Sequence, residues 1–178
     1  GRDAHRARDR RRQDGRTPLI EVAALAASLE GSGLGQWVRG SAYAYPVANL
    51  VHLLGLVMLI GAIGLTDLRL AGAFRALPLA PLAARMTPIA VAGLGLLFVS
   101  GALMFAADAG PLVNSTIFRW KLAFILIGFG HALLFHALWR RRWSSWDAAP
   151  PPIGRVMAIG SLVLWLTVGG LGRWIAYA

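Results

Sequence analysis

Residues 43–66 read YAYPVANLVHLLGLVMLIGAIGLT, an almost unbroken apolar run that decides the fold. Because an α-helix rises 1.5 Å per residue, this run forms a helix of about 36 Å, which is longer than the hydrocarbon layer of a bilayer is thick. It contains no charged residue and one histidine, His52. The sequence therefore predicts a transmembrane helix. Since an ionisable side chain at membrane depth is costly, His52 is the first candidate for a functional residue.

Three more apolar runs follow, and we predict spans at residues 88–107, 117–139 and 156–177. The chain has 178 residues, of which 57% are hydrophobic and only 15% are charged, whereas about a quarter are charged in an ordinary soluble domain. Tryptophans and tyrosines cluster near the span ends, as expected at membrane interfaces. The connections are short, so residues 43–177 are predicted to form an all-α, antiparallel four-helix membrane bundle.

The chain begins with a basic segment, residues 1–17, that has almost nothing apolar to bury and is predicted to be disordered. Residues 18–39 are predicted to form an amphipathic helix, with Pro18 in its first turn and Gly31 as a stop signal. This helix either lies in the membrane interface or packs on the end of the bundle. The net charge of +10 does not indicate nucleic-acid binding, because no folded basic surface accompanies the basic segment.

The orientation follows from arginines near the span ends. The loops after the first and third spans share one side of the membrane and carry Arg69, Arg75, Arg85, Arg140, Arg141, Arg142 and Arg155. The positive-inside rule predicts that this side is cytoplasmic and that both termini are outside. The basic N-terminal segment argues for the reverse, but Arg16 is more than about 20 residues from the first span, beyond the range of the rule.

Two histidines are candidate ligands of a b-type haem. Measured from predicted starts near residues 43 and 120, His52 and His131 lie about 14 Å and about 16 Å deep in parallel spans. Two neutral imidazoles at one depth can ligate the two sides of a haem iron. Gly55 and Gly128 lie one turn from them and leave room for a porphyrin edge, and Asn49 could orient the His52 ring.

Other interpretations of these residues stay open. Each histidine could be a helix-packing residue that bonds a neighbouring helix. His136 could replace His131 as a ligand, or serve a quinone or a proton path. A histidine–methionine copper site could use Met58 or Met104, because thioether sulfur suits Cu(I).

The charged residues at the span ends are predicted to be structural. Asp67 and Arg69 end the first span, where Arg69 is expected to snorkel toward the interface and Asp67 to act as a cap or to pair with residues 140–142. Lys121 is also expected to snorkel, and Asp108 lies on the same side of the membrane, so a Lys121–Asp108 ion pair is plausible.

The chain has no cysteine, which excludes disulfides, zinc–thiolate sites, iron–sulfur clusters and c-type haem attachment. It also has no acid pair, nucleophile elbow or phosphate loop that would indicate a hydrolase or a transferase. The sequence therefore supports at most an electron-transfer subunit of an oxidoreductase.

Four motifs resemble those of an uncharacterised bacterial family of four-span inner-membrane proteins. They are WVRGSAYAYPVANLVHLLGL at residues 37–56, TDLRLAG at 66–72, NSTIFRWK at 114–121 and LLFH at 133–136. The general layout is also similar to CopD-like copper-resistance membrane proteins and to small b-type cytochrome subunits. The resemblance implies a multi-pass protein of the bacterial inner membrane, with haem or metal among its candidate ligands.

These observations lead to one prediction and two alternatives. The prediction is a small b-type haem subunit, ligated by His52 and His131, that passes electrons between a partner protein and the quinone pool. The alternatives are a non-redox accessory or assembly subunit and a copper or small-solute permease component. The expected partners are the lipid bilayer, other membrane subunits and a quinone.

Overall fold

A computed structural model of the chain describes residues 18–139, 145–147 and 150–177, and within these ranges it contains helices and no strand. The basic segment 1–17 and residues 140–142 lie outside the described residues. The helices are α1 (Pro18–Glu30), α2 (Gly33–Gly40), α3 (Ala44–Ala71), α4 (Leu79–Ala107), α5 (Ala109–Asn114), α6 (Thr116–Trp139) and α7 (Pro152–Trp174), followed by a 3₁₀ turn (Ile175–Tyr177).

Four of these helices, α3, α4, α6 and α7, are long and apolar enough to cross a membrane. They pack against each other in the spatial order α4–α3–α7–α6. The prediction of an all-α bundle of four membrane helices is therefore confirmed. Their shared core contains Leu59, Trp165 and Val168, against which Leu94 and Leu97 of α4 pack, together with side chains of α6.

Glycines set the closest approach between α3 and α4. A Cβ on Gly55 would lie 2.7 Å from the carbonyl oxygen of Gly93, and a Cβ on Gly93 would lie 2.8 Å from that of Gly55. The two backbones can touch because neither residue has a side chain, as in many membrane helix pairs. The structure thus places Gly55, which we predicted to make room for a porphyrin, in a helix–helix contact.

Helix α4 begins at Leu79, nine residues before the predicted start at Pro88, and it continues through that proline. A proline inside a helix removes one backbone N–H donor, here that of Pro88. In the same turn the hydroxyl of Thr87 provides an additional donor, which bonds to the Ala83 carbonyl at 2.8 Å. Pro78, just before the helix, is extended. The start of the second span is therefore set at Pro78, and Pro88 is accommodated within the helix.

The N-terminal segment forms two helices rather than one. Helix α1 ends before Gly31, and the Ser32 hydroxyl caps α2 by accepting the Gly35 N–H at 3.2 Å. Glu30 Oε1 accepts the Gly110 N–H at 2.8 Å, and Arg39 donates to the Ala107 carbonyl through Nε at 2.9 Å. Both helices are thus packed on one end of the bundle, and their location in the membrane interface stays a prediction.

We call this end the α1–α2 end; it includes the starts of α3 and α6 and the last turns of α4 and α7. The opposite end includes the loop 72–78 and residues 145–147 and 150–151, and we call it the Trp146 end. Trp146 is 5% exposed and packs with Leu70, Leu79 and Ala158.

Candidate functional site

His52 of α3 is joined to Ser100 of α4 at the α1–α2 end of the bundle. The His52 Nδ1 lies 2.9 Å from Ser100 Oγ, and the Ser100 hydroxyl donates to the Leu96 carbonyl at 2.5 Å. A hydroxyl has one proton to donate, so the Ser100 oxygen accepts the bond from Nδ1–H. In the neutral imidazole this leaves Nε2 as the nitrogen with a free lone pair.

Gly101 makes room for the His52 ring. A Cβ at position 101 would lie 3.3 Å from Cε1 of His52. Asn49, which we predicted to orient the ring, is exposed, and Ser100 provides the hydrogen bond to Nδ1. Sequence reasoning missed this partner because Ser100 is 48 residues away in the chain; the adjacent Ser-Gly pair in an apolar span was the available signal.

An apolar groove of about 410 Å³ lies beside this histidine–serine pair. We call it the Ser100 groove, because Ser100 forms part of its lining and is also the partner of His52. Its walls come from α2, from the first turns of α3 and from the last turns of α4; they include Trp37, Tyr43, Val47, Val51, Val99 and Leu103.

Lys121 of α6 lies against α7 at the same end of the bundle. Its Nζ would be 3.3 Å from a Cβ at Gly172, and its positive charge lies within electrostatic range of His52. Asp108 lies near the Tyr45 hydroxyl instead. The predicted Lys121–Asp108 ion pair is absent among the ion pairs of the described residues.

At the Trp146 end, Arg69 is 1% exposed. Its Nε donates to the Leu77 carbonyl at 2.5 Å, and its Nη2 donates to the Asp147 carbonyl at 3.2 Å and lies 3.6 Å from Asp147 Oδ1. The prediction that Arg69 snorkels to the interface is therefore wrong. Asp147 was not among the predicted residues, although its Oδ1 also accepts the Leu79 N–H at 2.5 Å and so caps α4.

Asp67, two residues before Arg69, is buried at 8% exposure. The Ser161 hydroxyl of α7 lies near its carboxyl group. Among the described residues, Oδ2 of Asp67 is buried and has no hydrogen-bond partner. The predicted pairing of Asp67 with residues 140–142 lies outside the described residues.

His131 of α6 stacks on Phe135, with ring centroids 6.3 Å apart and an interplanar angle of 12°. Its Nε2 is buried and has no hydrogen-bond partner in the described part of the chain. One turn earlier, a Cβ on Gly128 would lie 3.1 Å from the Trp165 indole of α7. Gly128 therefore packs against an indole, and His131 lies just beyond it toward the Trp146 end. His136 is exposed on the same helix.

The structure does not bring His52 and His131 together. A Cβ on Gly64 of α3 would lie 3.7 Å from Leu162 of α7, which places His131 near the level of residues 64–67 of α3. His52 is more than three turns nearer the α1–α2 end, so the two rings are roughly 18 Å apart along the bundle axis. The equal-depth estimate assumed a third span that starts near residue 120; α6 begins at Thr116, which accounts for about 6 Å of this separation.

Ligation of one haem by His52 and His131 thus stays a prediction that this packing does not support. Within the described residues, no group of three or more His, Asp or Glu side chains could hold a metal ion. The copper site with Met58 or Met104 also stays a prediction.

Comparison with known proteins identifies a family but no activity. The model of a family of unknown function, DUF6644, matches residues 28–178. No curated protein and no solved structure matches the chain.

Proposed function

Because the chain belongs to the DUF6644 family, which brings no activity with it, we propose a function from the contacts alone. The chain is a multi-pass subunit of an oxidoreductase in the bacterial inner membrane, with both termini outside the cytoplasm. Its Ser100 groove takes the ring of a lipid-soluble quinol. His52 accepts a hydrogen bond from a ring hydroxyl.

The observation that carries this proposal is the direction of the hydrogen bonds at His52, that is, which atom donates and which accepts. Ser100 is bonded to the Leu96 carbonyl and so accepts from His52 Nδ1, which leaves Nε2 as an acceptor. A quinol hydroxyl is a donor and suits this nitrogen, whereas a quinone carbonyl is an acceptor and does not. The neutral site therefore favours the reduced ligand.

The groove has the size and character that such a ring needs. Its volume of about 410 Å³ lies within the usual range for small-molecule sites, about 300–1,000 Å³. Ser100 lines the groove and is bonded to His52, which lies directly behind it and is not itself a lining residue. Trp37 and Tyr43 at its edge are exposed, as is typical of aromatic residues at a membrane interface.

The experiment is a binding titration of the purified protein in nanodiscs, with a short-chain ubiquinol analogue and with its oxidised form. We expect tighter binding of the quinol. Ser100→Ala removes the acceptor that fixes Nδ1–H, so it should weaken quinol binding by roughly tenfold, as expected for one hydrogen bond. Ser161→Ala removes a comparably buried serine at the other end of the bundle and should leave the affinity unchanged. Equal affinity for both redox forms, or no effect of Ser100→Ala, would overturn the proposal.

The predicted electron carrier of such a subunit is a b-type haem, which would take single electrons from the bound quinol. The unpartnered Nε2 of His131 suits an iron ligand. The Nε2 of His52 has one lone pair, so ligation of iron by His52 is the alternative to its role as the quinol acceptor. Optical spectra before and after dithionite test this directly. A Soret band with α and β bands, lost in His52→Ala or His131→Ala, would identify the ligand.

A second candidate function is a non-redox accessory subunit, favoured by the way His52 packs. The His52–Ser100 hydrogen bond joins α3 and α4, and Gly101 has no side chain that would crowd the His52 ring. In this case the histidine only stabilises the α3–α4 contact. A featureless spectrum, together with no quinol binding by well-folded protein, would leave this candidate standing.

A further inference from the structure

Lys121 is a partly buried cation near the start of α6, and no carboxylate of the described residues pairs with it. The end of its side chain lies against the last turns of α7, where Gly172 leaves the space. A Cβ at position 172 would be 3.3 Å from Nζ and 3.4 Å from Cε of the lysine. We call this space the Gly172 notch. The C-terminal end of a helix carries a partial negative charge, which favours the ammonium there without neutralising it.

The acidic side chains that contact the bundle at this end are engaged elsewhere. Glu30 accepts the Gly110 N–H and pairs with Arg39. Asp108 lies near the Tyr45 hydroxyl. A charged side chain at membrane depth is costly unless it finds a counter-charge. The ammonium in the Gly172 notch therefore indicates a site for an anion from outside the described chain.

Arg173 adds a second positive charge beside the notch. It follows Gly172 in the chain, and because consecutive Cα atoms are about 3.8 Å apart, its Cα lies within about 9 Å of the Lys121 ammonium. The Arg173 guanidinium lies over the Tyr177 ring, 4.7 Å from the ring centroid, and donates to the Tyr177 hydroxyl. A guanidinium has five N–H donors, so donors remain for an anion.

The side chains around the two cations suit an amphiphile. Trp120 and Trp174, which are neighbours of the cations in the sequence, are 59% and 66% exposed. Tryptophans are enriched at the level of the lipid headgroups. Farther along α6, Leu122 and Leu126 are also exposed. An anionic headgroup at the level of the tryptophans, with a hydrocarbon chain along α6, matches this order of charge and apolar surface.

We propose that the Gly172 notch, with Lys121 and Arg173, binds the phosphate of one anionic phospholipid. The Lys121 ammonium donates to a phosphate oxygen, and Arg173 provides the second positive charge. A zwitterionic phospholipid has the same phosphate, but its own cation cancels the charge that the site attracts. The lining of the Ser100 groove includes no residue of α6 or α7, so this proposal does not rest on quinol binding.

The test is native mass spectrometry of the full chain in detergent micelles, titrated with dioleoylphosphatidylglycerol. We expect one tightly bound lipid, and much weaker binding of dioleoylphosphatidylcholine. Lys121→Met keeps an apolar stem and removes the ammonium, so it should weaken binding of the anionic lipid roughly tenfold, as expected for a hydrogen bond to a charged group. Arg119→Met is the matched control, because residues two positions apart do not share a helix face, and it should leave the affinity unchanged.

A substitution without a change of charge tests the notch itself. Gly172→Leu fills the space of the lysine side chain and should weaken lipid binding by a similar factor, and it keeps the test valid if Lys121→Met does not fold. Gly170→Leu is its control, because a Cβ at position 170 meets nothing within 4 Å. Unchanged binding in Lys121→Met would overturn the site, and equal effects of the two leucine variants would overturn its placement at the notch.

Inorganic phosphate, added at the same concentration as the lipid, separates a lipid site from a site for the free anion. It should not displace the bound phosphatidylglycerol, because it makes no contact along α6. Displacement of the lipid by phosphate would overturn the assignment to a phospholipid.

Discussion

The two ends of the bundle hold arginine–carboxylate pairs of nearly equal length in very different surroundings. At the α1–α2 end, Arg39 and Glu30 are 3.5 Å apart with side-chain exposures of 53% and 22%. At the Trp146 end, Arg69 and Asp147 are 3.6 Å apart with exposures of 1% and 40%. Exposed pairs contribute about 0–1 kcal/mol, whereas breaking a buried pair is strongly destabilising. Burial, rather than distance, thus distinguishes the two ends.

This difference assigns separate roles to the two ends. The Trp146 end joins the last turn of α3 to the residues before α7 and caps the start of α4, so it fixes the bundle. The α1–α2 end holds two short helices through the fully buried Val38 and the hydrogen bonds of Glu30 and Arg39, and α2 provides a wall of the Ser100 groove. A ligand that occupies the groove therefore contacts the α1–α2 end and not the Trp146 end.

The largest expected difference between the ends is their compartment. The chain has no cysteine, so single cysteines can be placed without background. Asn114→Cys at the α1–α2 end should react with a membrane-impermeant maleimide on intact cells. Ser145→Cys at the Trp146 end should react only after the membrane is opened. Both positions are exposed, which makes them a matched pair.

The reverse labelling pattern would show that the termini are cytoplasmic. The basic segment 1–17 would then be decisive for the topology despite its distance from α3. Labelling of both cysteines in intact cells would show that the chain does not keep one orientation.

The next largest effect is expected at the Arg69–Asp147 pair, in which the arginine is buried. Asp147→Ala leaves Arg69 with no carboxylate partner and removes the acceptor of the Leu79 N–H. We expect a loss of about 3 kcal/mol in the free energy of unfolding, at the lower end of the range for broken buried pairs because Asp147 is partly exposed. Unfolding in mixed micelles, followed by tryptophan fluorescence, measures this loss.

A second substitution separates the charge effect from the lost cap. Arg69→Met in the Asp147→Ala background removes the unpaired charge and keeps an apolar side chain of similar length. It should recover part of the lost stability. If the double variant is no more stable than Asp147→Ala, the capping bond to Leu79 accounts for the effect, and the contrast between the two ends does not rest on burial of charge.

The sequence predicted the fold well because membrane spans follow from apolar length alone. It predicted individual contacts poorly. Arg69 looks like a snorkelling residue until Asp147, which is 78 residues away, is brought beside it. Likewise, the depth of His131 depended on where α6 begins. Contacts between distant segments and helix starts set by loop packing are not encoded in local periodicity, so the candidate site was only partly predictable.

The smallest effect is expected at the exposed pair. Glu30→Ala removes the Arg39 ion pair and the bond to the Gly110 N–H, and it should cost about 1 kcal/mol of stability, less at high salt because surface charges are screened. Glu21→Ala, an exposed acidic residue of the same helix, is the control and should change stability by less than about 0.5 kcal/mol. Because α2 lines the Ser100 groove, Glu30→Ala should also weaken quinol binding by a few-fold. A loss of stability as large as that of Asp147→Ala would mean that the α1–α2 end is as firmly fixed as the other, and that a ligand cannot enter by displacing α2.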